Sequence, residues 1–218
     1  MPDNSVENPN IAKKRSVIAA YLCEKYDPDF LIVYGSFADG SAGLSSDFDA
    51  LLGYDGPAKH DDAVVDGTEL DVFCYPVSDF DADFDPRDFL QVFDGELLRD
   101  RSGRGERLRR RVLDHIAAAP KKTAEEKSDA VSWCEKMLQR TARGDAEGFY
   151  RWHWLLTESL EICFDLLGEY YYGPKKSLRR LEREHPALFA LYAAALRSMD
   201  PAALRSWIAA LRPLLDQE

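Results

Sequence analysis

The sequence predicts an α+β protein, in which an N-terminal domain with a mixed sheet and flanking helices is followed by an all-α helical bundle. Short apolar runs with the length and bounding turns of strands occur only in the first half of the chain. Beyond residue 118, every apolar pattern has helical spacing, with apolar residues three and four positions apart. We therefore expect one domain over residues 1–118 and a second over residues 119–218.

The first half is predicted to run from a helix through several strands to a second helix. Residues 10–26 carry an apolar stripe at helical spacing, and strand-like runs follow at 30–34 and 48–54. Asp66-Gly67 is a strong signal for a hairpin turn, here between strands at 63–66 and 69–75. The remaining predicted elements are a short helix at 86–92, a strand at 96–100 and a helix at 104–118.

The second half is predicted to be entirely helical. Residues 118–127, with Pro120 and several charged side chains, are the best candidate for a linker. Glycines and prolines then separate five helical patterns, at 124–143, 146–171, 175–184, 187–198 and 201–215. The longest one has an apolar face from Trp152 to Tyr170, which is typical of a helix packed in a bundle.

Composition indicates which classes of binding partner and which cellular compartment to expect. The formal net charge is −11, and nucleic-acid binding depends on Lys and Arg neutralising phosphates, so a nucleic-acid partner is not expected. No apolar run approaches the ~20 residues of a membrane span, and the N-terminus lacks the pattern of a signal peptide. The four cysteines show no zinc-binding spacing, which favours reduced, buried thiols and a cytoplasmic protein.

One segment carries a pattern with chemical meaning. Gly35 and Ser36 follow an apolar run, and after ten intervening residues Asp47 and Asp49 lead into the next one. Side chains two positions apart on a strand share a face, so the two carboxylates are expected side by side. Paired carboxylates are oxygen ligands of the kind that Mg²⁺ takes together with substrate phosphates. A Gly-Ser at a turn offers backbone N–H groups to a phosphate, so the segment predicts a site for a nucleoside triphosphate and a metal.

This pattern resembles the signature of the nucleotidyltransferase superfamily typified by DNA polymerase beta. The resemblance covers roughly residues 30–75, and the helical second half is similar to the two-domain layout of kanamycin nucleotidyltransferase-like enzymes. It implies that the first domain is a nucleotidyltransferase domain and the second a helical domain that closes over the nucleotide or the substrate. It also implies that Asp47 and Asp49 bind metal ions, while Gly35 and Ser36 seat the triphosphate.

The family usually has a third carboxylate on a later strand. Glu69 and Asp71 are both candidates, since they are two positions apart and share a face. Asp71, followed by the apolar Val72-Phe73, matches the family pattern better; the alternative is a hairpin with two solvent-facing acids. Asp47, Asp49 and Asp71 are thus the expected catalytic metal ligands, for two Mg²⁺ ions that Mn²⁺ can replace.

The helical half offers further candidates without a readable motif. Lys175 and Lys176 follow a Gly-Pro break and are candidates for nucleotide binding, the alternative being a solvated surface pair. In the kanamycin-type enzymes a glutamate of the helical domain is the general base. Glu158, or equally Glu161, is the candidate here, against the alternative of a solvated helix face. The histidines show no paired spacing and are assigned no role: His60, His115, His153 and His185.

The expected function is that of a cytoplasmic, Mg²⁺-dependent nucleotidyltransferase, acting as a monomer or a homodimer. It would move a nucleoside monophosphate from an NTP, with ATP as the expected donor, to a hydroxyl of a small-molecule acceptor and release pyrophosphate. An acidic protein suits a cationic acceptor such as an aminoglycoside-like antibiotic. One alternative is a protein adenylyltransferase of the minimal-nucleotidyltransferase antitoxin type. The other is a nucleotide-binding module without catalytic activity.

Overall fold

The protein is a mixed α+β structure. The computed structural model describes residues 9–216, and the chain divides into two compact units, Met1–Ala118 and Ala119–Glu218. The described part of the first unit contains every strand, and the second unit is helical over its described residues. No helix within residues 9–216 is both long and apolar enough to cross a membrane.

The first unit follows the predicted order of elements, with one additional strand. Its helices and strands are α1 (Pro9–Tyr26), β1 (Phe30–Val33), α2 (Ser36–Asp39), β2 (Phe48–Tyr54), β3 (Lys59–Asp61), β4 (Val64–Val65), β5 (Thr68–Pro76), β6 (Glu96–Asp100) and α3 (Arg104–Ala117). Short 3₁₀ helices cover Val77–Phe80 and Pro86–Val92. Strand β3 was not predicted, because its three polar residues show no apolar alternation.

The strands form one mixed sheet in the order β3-β5-β2-β1-β6, and β4 pairs with β5. Strand β2 runs parallel to β5, whereas the other strand pairs are antiparallel. The hairpin predicted around Asp66-Gly67 is present, with Val65 opposite Thr68. The parallel pair matters most for the site, because it places the first residues of two separate apolar runs side by side.

Helices cover both faces of this sheet. Helix α1 packs its apolar stripe, including Ile18 and Leu22, against one face of β1, β2 and β5. The opposite face, with Phe30, Ile32 and Leu51, packs against α3 and the two 3₁₀ segments. Side chains alternate between the two faces along each strand, so Asp49 of β2 lies on this second face together with Leu51. Asp71 of β5 lies on the same face together with Phe73.

The second unit contains five α-helices within its described residues. They are α4 (Ala124–Thr141), α5 (Ala146–Leu167), α6 (Pro174–Glu184), α7 (Pro186–Arg197) and α8 (Pro201–Leu211), followed by a 3₁₀ turn at Arg212–Asp216. The predicted linker is shorter than expected, since Thr123 and Glu126 form a capping box that begins α4 at Ala124.

The longest helix ends earlier than predicted. Gly168 adopts a left-handed conformation (φ 69°) and its N–H bonds back to the carbonyl of Phe164, which closes α5 at Leu167. Tyr170 therefore lies beyond the helix, and its predicted place on the apolar face of α5 is wrong. The rest of that face, from Trp152 to Leu166, is buried in the core of the unit.

The helical core is organised around Trp207 of α8, which is fully buried. Its indole N–H donates to the hydroxyl of Ser159 on α5, 2.8 Å away, and the hydroxyl in turn donates to the carbonyl of Leu156 at 3.3 Å. Tyr192 of α7 packs edge-on against the same indole. A buried polar chain of this kind fixes the relative position of α5 and α8 because each buried group needs its partner.

Candidate active site

Asp49 and Asp71 are direct neighbours in the sheet. The parallel register of β2 and β5 places Asp49 opposite Asp71, on strands whose backbones lie ~4.8 Å apart. Both side chains are half-buried and project from the same face. Two acids that lie more than twenty residues apart in the chain are thus brought together by strand pairing.

Asp47 completes the acidic group around Tyr34. It lies just before β2, is exposed, and is two positions from Asp49. The phenol of Tyr34 is buried, with 7% of its surface exposed. Burial raises the pKa of Tyr34, and the negative charges of Asp71, Asp49 and Asp47 raise it further. All three carboxylates proposed from the sequence therefore lie close enough to act electrostatically on one phenol.

Gly35 makes room for the carboxylate of Asp49. Its backbone has φ 67° and ψ −148°, a combination that is essentially restricted to glycine. A Cβ placed on Gly35 would lie 2.2 Å from Oδ2 of Asp49, far inside van der Waals contact. The N–H of Tyr34, one residue earlier, donates to the Asp49 carbonyl at 3.1 Å. The turn and the acid are therefore fitted to each other.

Ser36 is an unusual buried hydroxyl. It is the first residue of α2 and only 4% exposed, yet its Oγ makes no hydrogen bond to any residue between 9 and 216. Buried polar groups are normally satisfied, so an unsatisfied one calls for an explanation such as a ligand. The loop after α2 is held by local bonds instead, from the Ser41 N–H to Asp39 and from the Gly43 N–H to Ser46.

The structure adds His60, which was assigned no role from the sequence. Nε2 of His60 lies 2.6 Å from Oδ1 of Asp71, and its ring packs against Phe73 at 4.9 Å between centroids. The histidine reaches this position through β3, which pairs with β5 so that His60 is opposite Phe73. Because β3 had no recognisable pattern, nothing in the sequence linked His60 to Asp71.

These residues fit a metal-bound polyphosphate. Asp47, Asp49 and Asp71 supply carboxylate oxygens, the donors that Mg²⁺ and Mn²⁺ prefer. The hydroxyl of Ser36, which has no partner among residues 9–216, is available to donate to a phosphate oxygen, and Gly35 leaves the room beside it that the Asp49 carboxylate occupies.

The candidates in the helical unit lie on two different helices. Glu158 and Glu161 line a pocket of about 290 Å³ between α4 and α5, together with Asp165, Lys122 and Lys127. Burial raises the pKa of Glu161, the nearby charges of Asp165 and Glu158 raise it further, and Lys122 opposes them. The assignment of either glutamate as a base stays a prediction.

Lys175 and Lys176 lie in the first turn of α6. Lys175 is exposed and Lys176 is half-buried. The turn is fixed by the Ser177 hydroxyl, which accepts the backbone N–H of Tyr172 at 3.0 Å. Their predicted contact with a triphosphate stays a prediction as well.

A separate cluster of potential metal ligands in the same unit already contains a cation. Oxygens of Glu169 and Glu184 lie near Nε2 of His185, with 2.8 Å between His185 and Glu169. The guanidinium of Arg180 lies 2.8 Å from Glu169 and 2.9 Å from Glu184. We interpret this cluster as an ion-pair network that joins α6 to the end of α5, since Arg180 supplies the positive charge that a metal would bring.

Comparison with known proteins leaves the family open. No family model matches the chain, and no curated protein matches it. Among solved structures, the chain is similar to the crystal structure of a nucleotidyltransferase-like protein from Exiguobacterium sibiricum 255-15, at 13% sequence identity and a TM-score of 0.36. The similarity covers 95% of this chain and 75% of that one. A TM-score this low decides neither fold nor activity, so a functional assignment has to come from the residues of the site.

Proposed function

We propose that the protein is a metal-dependent nucleotidyltransferase, with ATP as the expected donor. The observation that carries the proposal is the register of Asp49 with Asp71, beside a Gly-Ser turn whose glycine is fitted to the Asp49 carboxylate. Two half-buried acids side by side, close to a buried hydroxyl without a partner, have no evident purpose in folding, because like charges repel and an unsatisfied buried polar group costs free energy.

Each candidate site residue of the first unit has a defined role in the proposed reaction. Asp47, Asp49 and Asp71 would hold two Mg²⁺ ions, with Mn²⁺ as a substitute. When bound, these ions would neutralise the triphosphate and lower the pKa of the attacking hydroxyl. Ser36 would donate its free hydroxyl proton to a β- or γ-phosphate oxygen, and Gly35 would let the backbone approach that phosphate.

The reaction forms one bond and breaks one. The acceptor oxygen attacks the α-phosphorus, and the bond from that phosphorus to the bridging oxygen of the β-phosphate breaks, so that pyrophosphate leaves with the electron pair. The acceptor proton passes to a carboxylate, for which Glu158 and Glu161 are the candidates. Burial raises the pKa of Glu161, which suits a proton acceptor because a useful base has a pKa nearer to neutrality.

The helical unit would supply the remaining contacts. Lys175 and Lys176 would meet the triphosphate as cations. The pocket between α4 and α5 is lined by four acids and two lysines and so carries a formal negative charge. This charge favours a small acceptor that bears both a hydroxyl and a positive charge, such as an aminoglycoside-like compound. The four cysteines are unpaired, which fits the cytoplasm as the proposed compartment.

The first test follows nucleotide and metal binding by thermal stability. ATP with Mg²⁺ or Mn²⁺ should raise the melting temperature of the wild-type protein, since a ligand of the native state stabilises it. Asp47→Asn, Asp49→Asn and Asp71→Asn should each remove most of that shift. Asp55→Asn is the matched control, because Asp55 is an exposed acid directly after the far end of β2.

The second test measures pyrophosphate release with each NTP and a panel of hydroxyl-bearing acceptors. We expect turnover that depends on the metal and falls at least about 100-fold in Asp49→Asn. Full activity in the three Asp→Asn variants would refute the metal assignment. Labelled ATP that marked only proteins in a cell lysate would favour the protein adenylyltransferase, and binding without pyrophosphate release would favour the non-catalytic module.

A further inference from the structure

His60, Asp71 and Asp49 form a row across three adjacent strands. Strand β5 lies between β3 and β2, so Asp71 has His60 on one side and Asp49 on the other. A carboxylate only accepts hydrogen bonds when ionised, so the 2.6 Å contact to Oδ1 of Asp71 is donated by Nε2–H of His60. The second oxygen of Asp71 is not engaged by that bond.

The backbone that carries His60 is anchored on both sides. The following residue, Asp61, is 7% exposed and accepts bonds from Lys25 at 2.8 Å and from the hydroxyl of Tyr26 at 2.7 Å. The preceding residue, Lys59, lies over the ring of Tyr26, 4.3 Å from its centroid. Both contacts tie β3 to the end of α1, so the imidazole is presented from a fixed strand.

We propose that His60 is a positioning residue for metal binding, which holds Oδ1 of Asp71 and thereby commits Oδ2 to the cation. This inference rests on the proposed function, because it assumes that Asp71 is a metal ligand. A carboxylate on a strand rotates about its terminal torsion, and a donor on one oxygen removes that freedom before the metal arrives. The packing of the imidazole on Phe73 restricts the donor itself.

A purely structural role for this contact is a weaker explanation. The side chains of His60 and Asp71 are 45% and 40% exposed, and exposed ion pairs contribute little to folding. A bond of that kind is therefore expected to show its effect in ligand binding and not in the stability of the free protein.

The test measures Mn²⁺ binding to the full-length protein, free of nucleotide, by the loss of the free Mn²⁺ signal in electron paramagnetic resonance. His60→Ala should weaken Mn²⁺ binding by about 10- to 100-fold, the effect typical of partners that orient metal ligands. His60→Gln should restore much of the affinity, because its amide N–H can donate to Asp71 from a similar position. His153→Ala is the matched control, since His153 is an exposed histidine of the helical unit.

The possible outcomes distinguish a failure of the His60 role from a failure of the metal site. Wild-type affinity in His60→Ala would overturn the positioning role and leave the metal site intact. Equal weakness in His60→Gln and His60→Ala would overturn the donor role. A large loss of metal-free thermal stability in His60→Ala would show that the contact serves folding and would overturn the positioning role. Failure of the wild-type protein to bind Mn²⁺, with or without ATP, would overturn the proposed function and this inference with it.

Discussion

Replacing Gly35 by alanine should impair metal binding and activity by more than its effect on stability explains. The new Cβ would lie 2.2 Å from Oδ2 and 2.9 Å from Cγ of Asp49. A carbon and an oxygen normally stay more than 3 Å apart, so the carboxylate has to move by about 1 Å or the turn has to open. A displacement of about 1 Å in a reacting group costs about 100-fold in rate. We therefore expect turnover to fall by about 100-fold or more and Mn²⁺ binding to weaken.

Backbone strain in Gly35→Ala also lowers the stability, and a substitution at a second glycine of the same loop provides a control with a similar loss. A residue other than glycine at φ 67° and ψ −148° is strained by about 1–3 kcal/mol. Gly40 also has a positive φ, 77°, but a Cβ there would have no heavy atom within 4 Å. Gly40→Ala should thus cost about 1–2 kcal/mol in the free energy of unfolding without touching Asp49.

The assay compares the two variants in urea unfolding, Mn²⁺ binding and pyrophosphate release. Both should lose stability to a similar extent, while Gly35→Ala alone loses metal binding and activity. If Gly35→Ala bound Mn²⁺ and turned over as well as Gly40→Ala, the fit between Gly35 and the Asp49 carboxylate would have no functional meaning.

Two further predictions concern buried polar groups. Burial works to raise the pKa of Asp61, but the hydrogen bonds from Lys25 and Tyr26 outweigh burial and lower the pKa below its usual value. The stability that these bonds contribute is therefore complete above about pH 4, and it is lost as the pH falls through the pKa of Asp61 in the folded protein. In urea unfolding, Asp61→Asn should be less stable than the wild type by about 1–3 kcal/mol at pH 7, and a difference that persisted unchanged at pH 2.5 would contradict this assignment. Ser159→Ala should lower the free energy of unfolding by about 1–3 kcal/mol, because it leaves the buried indole N–H of Trp207 without an acceptor. The control is Ser206→Ala on the exposed face of α8, which should change the free energy of unfolding by less than about 0.5 kcal/mol.

Local sequence signals account for most of the elements. Strands β1, β2 and β6 and helices α1 and α3 lie close to their predicted bounds, because apolar periodicity and turn residues act over a few positions. Errors arose where a single residue ended an element, as Gly168 does at the end of α5. Strand β3 was missed because its pairing with β5, and not its own composition, makes it a strand.

For the site, the spacing from Gly35 to Asp49 predicted an acidic pair beside a phosphate turn, since both lie in one short stretch of chain. That Asp71 is the neighbour of Asp49 depends on the register of two parallel strands, and a shift by one residue would turn the side chain to the other face. The same holds for the fit of Gly35 against the Asp49 carboxylate and for the bond from His60 to Asp71.

The sequence predicted the α+β class, the order of most elements and the residue types that suit a metal and a triphosphate. Those properties follow from periodicity and from short spacings, which a chain carries before it folds. The folded structure was needed to show which acids are neighbours, that the Ser36 hydroxyl is buried without a partner among residues 9–216, and that His60 belongs to the group. Each of these depends on contacts between residues far apart in the chain, which strand pairing and helix packing create and local pattern does not encode.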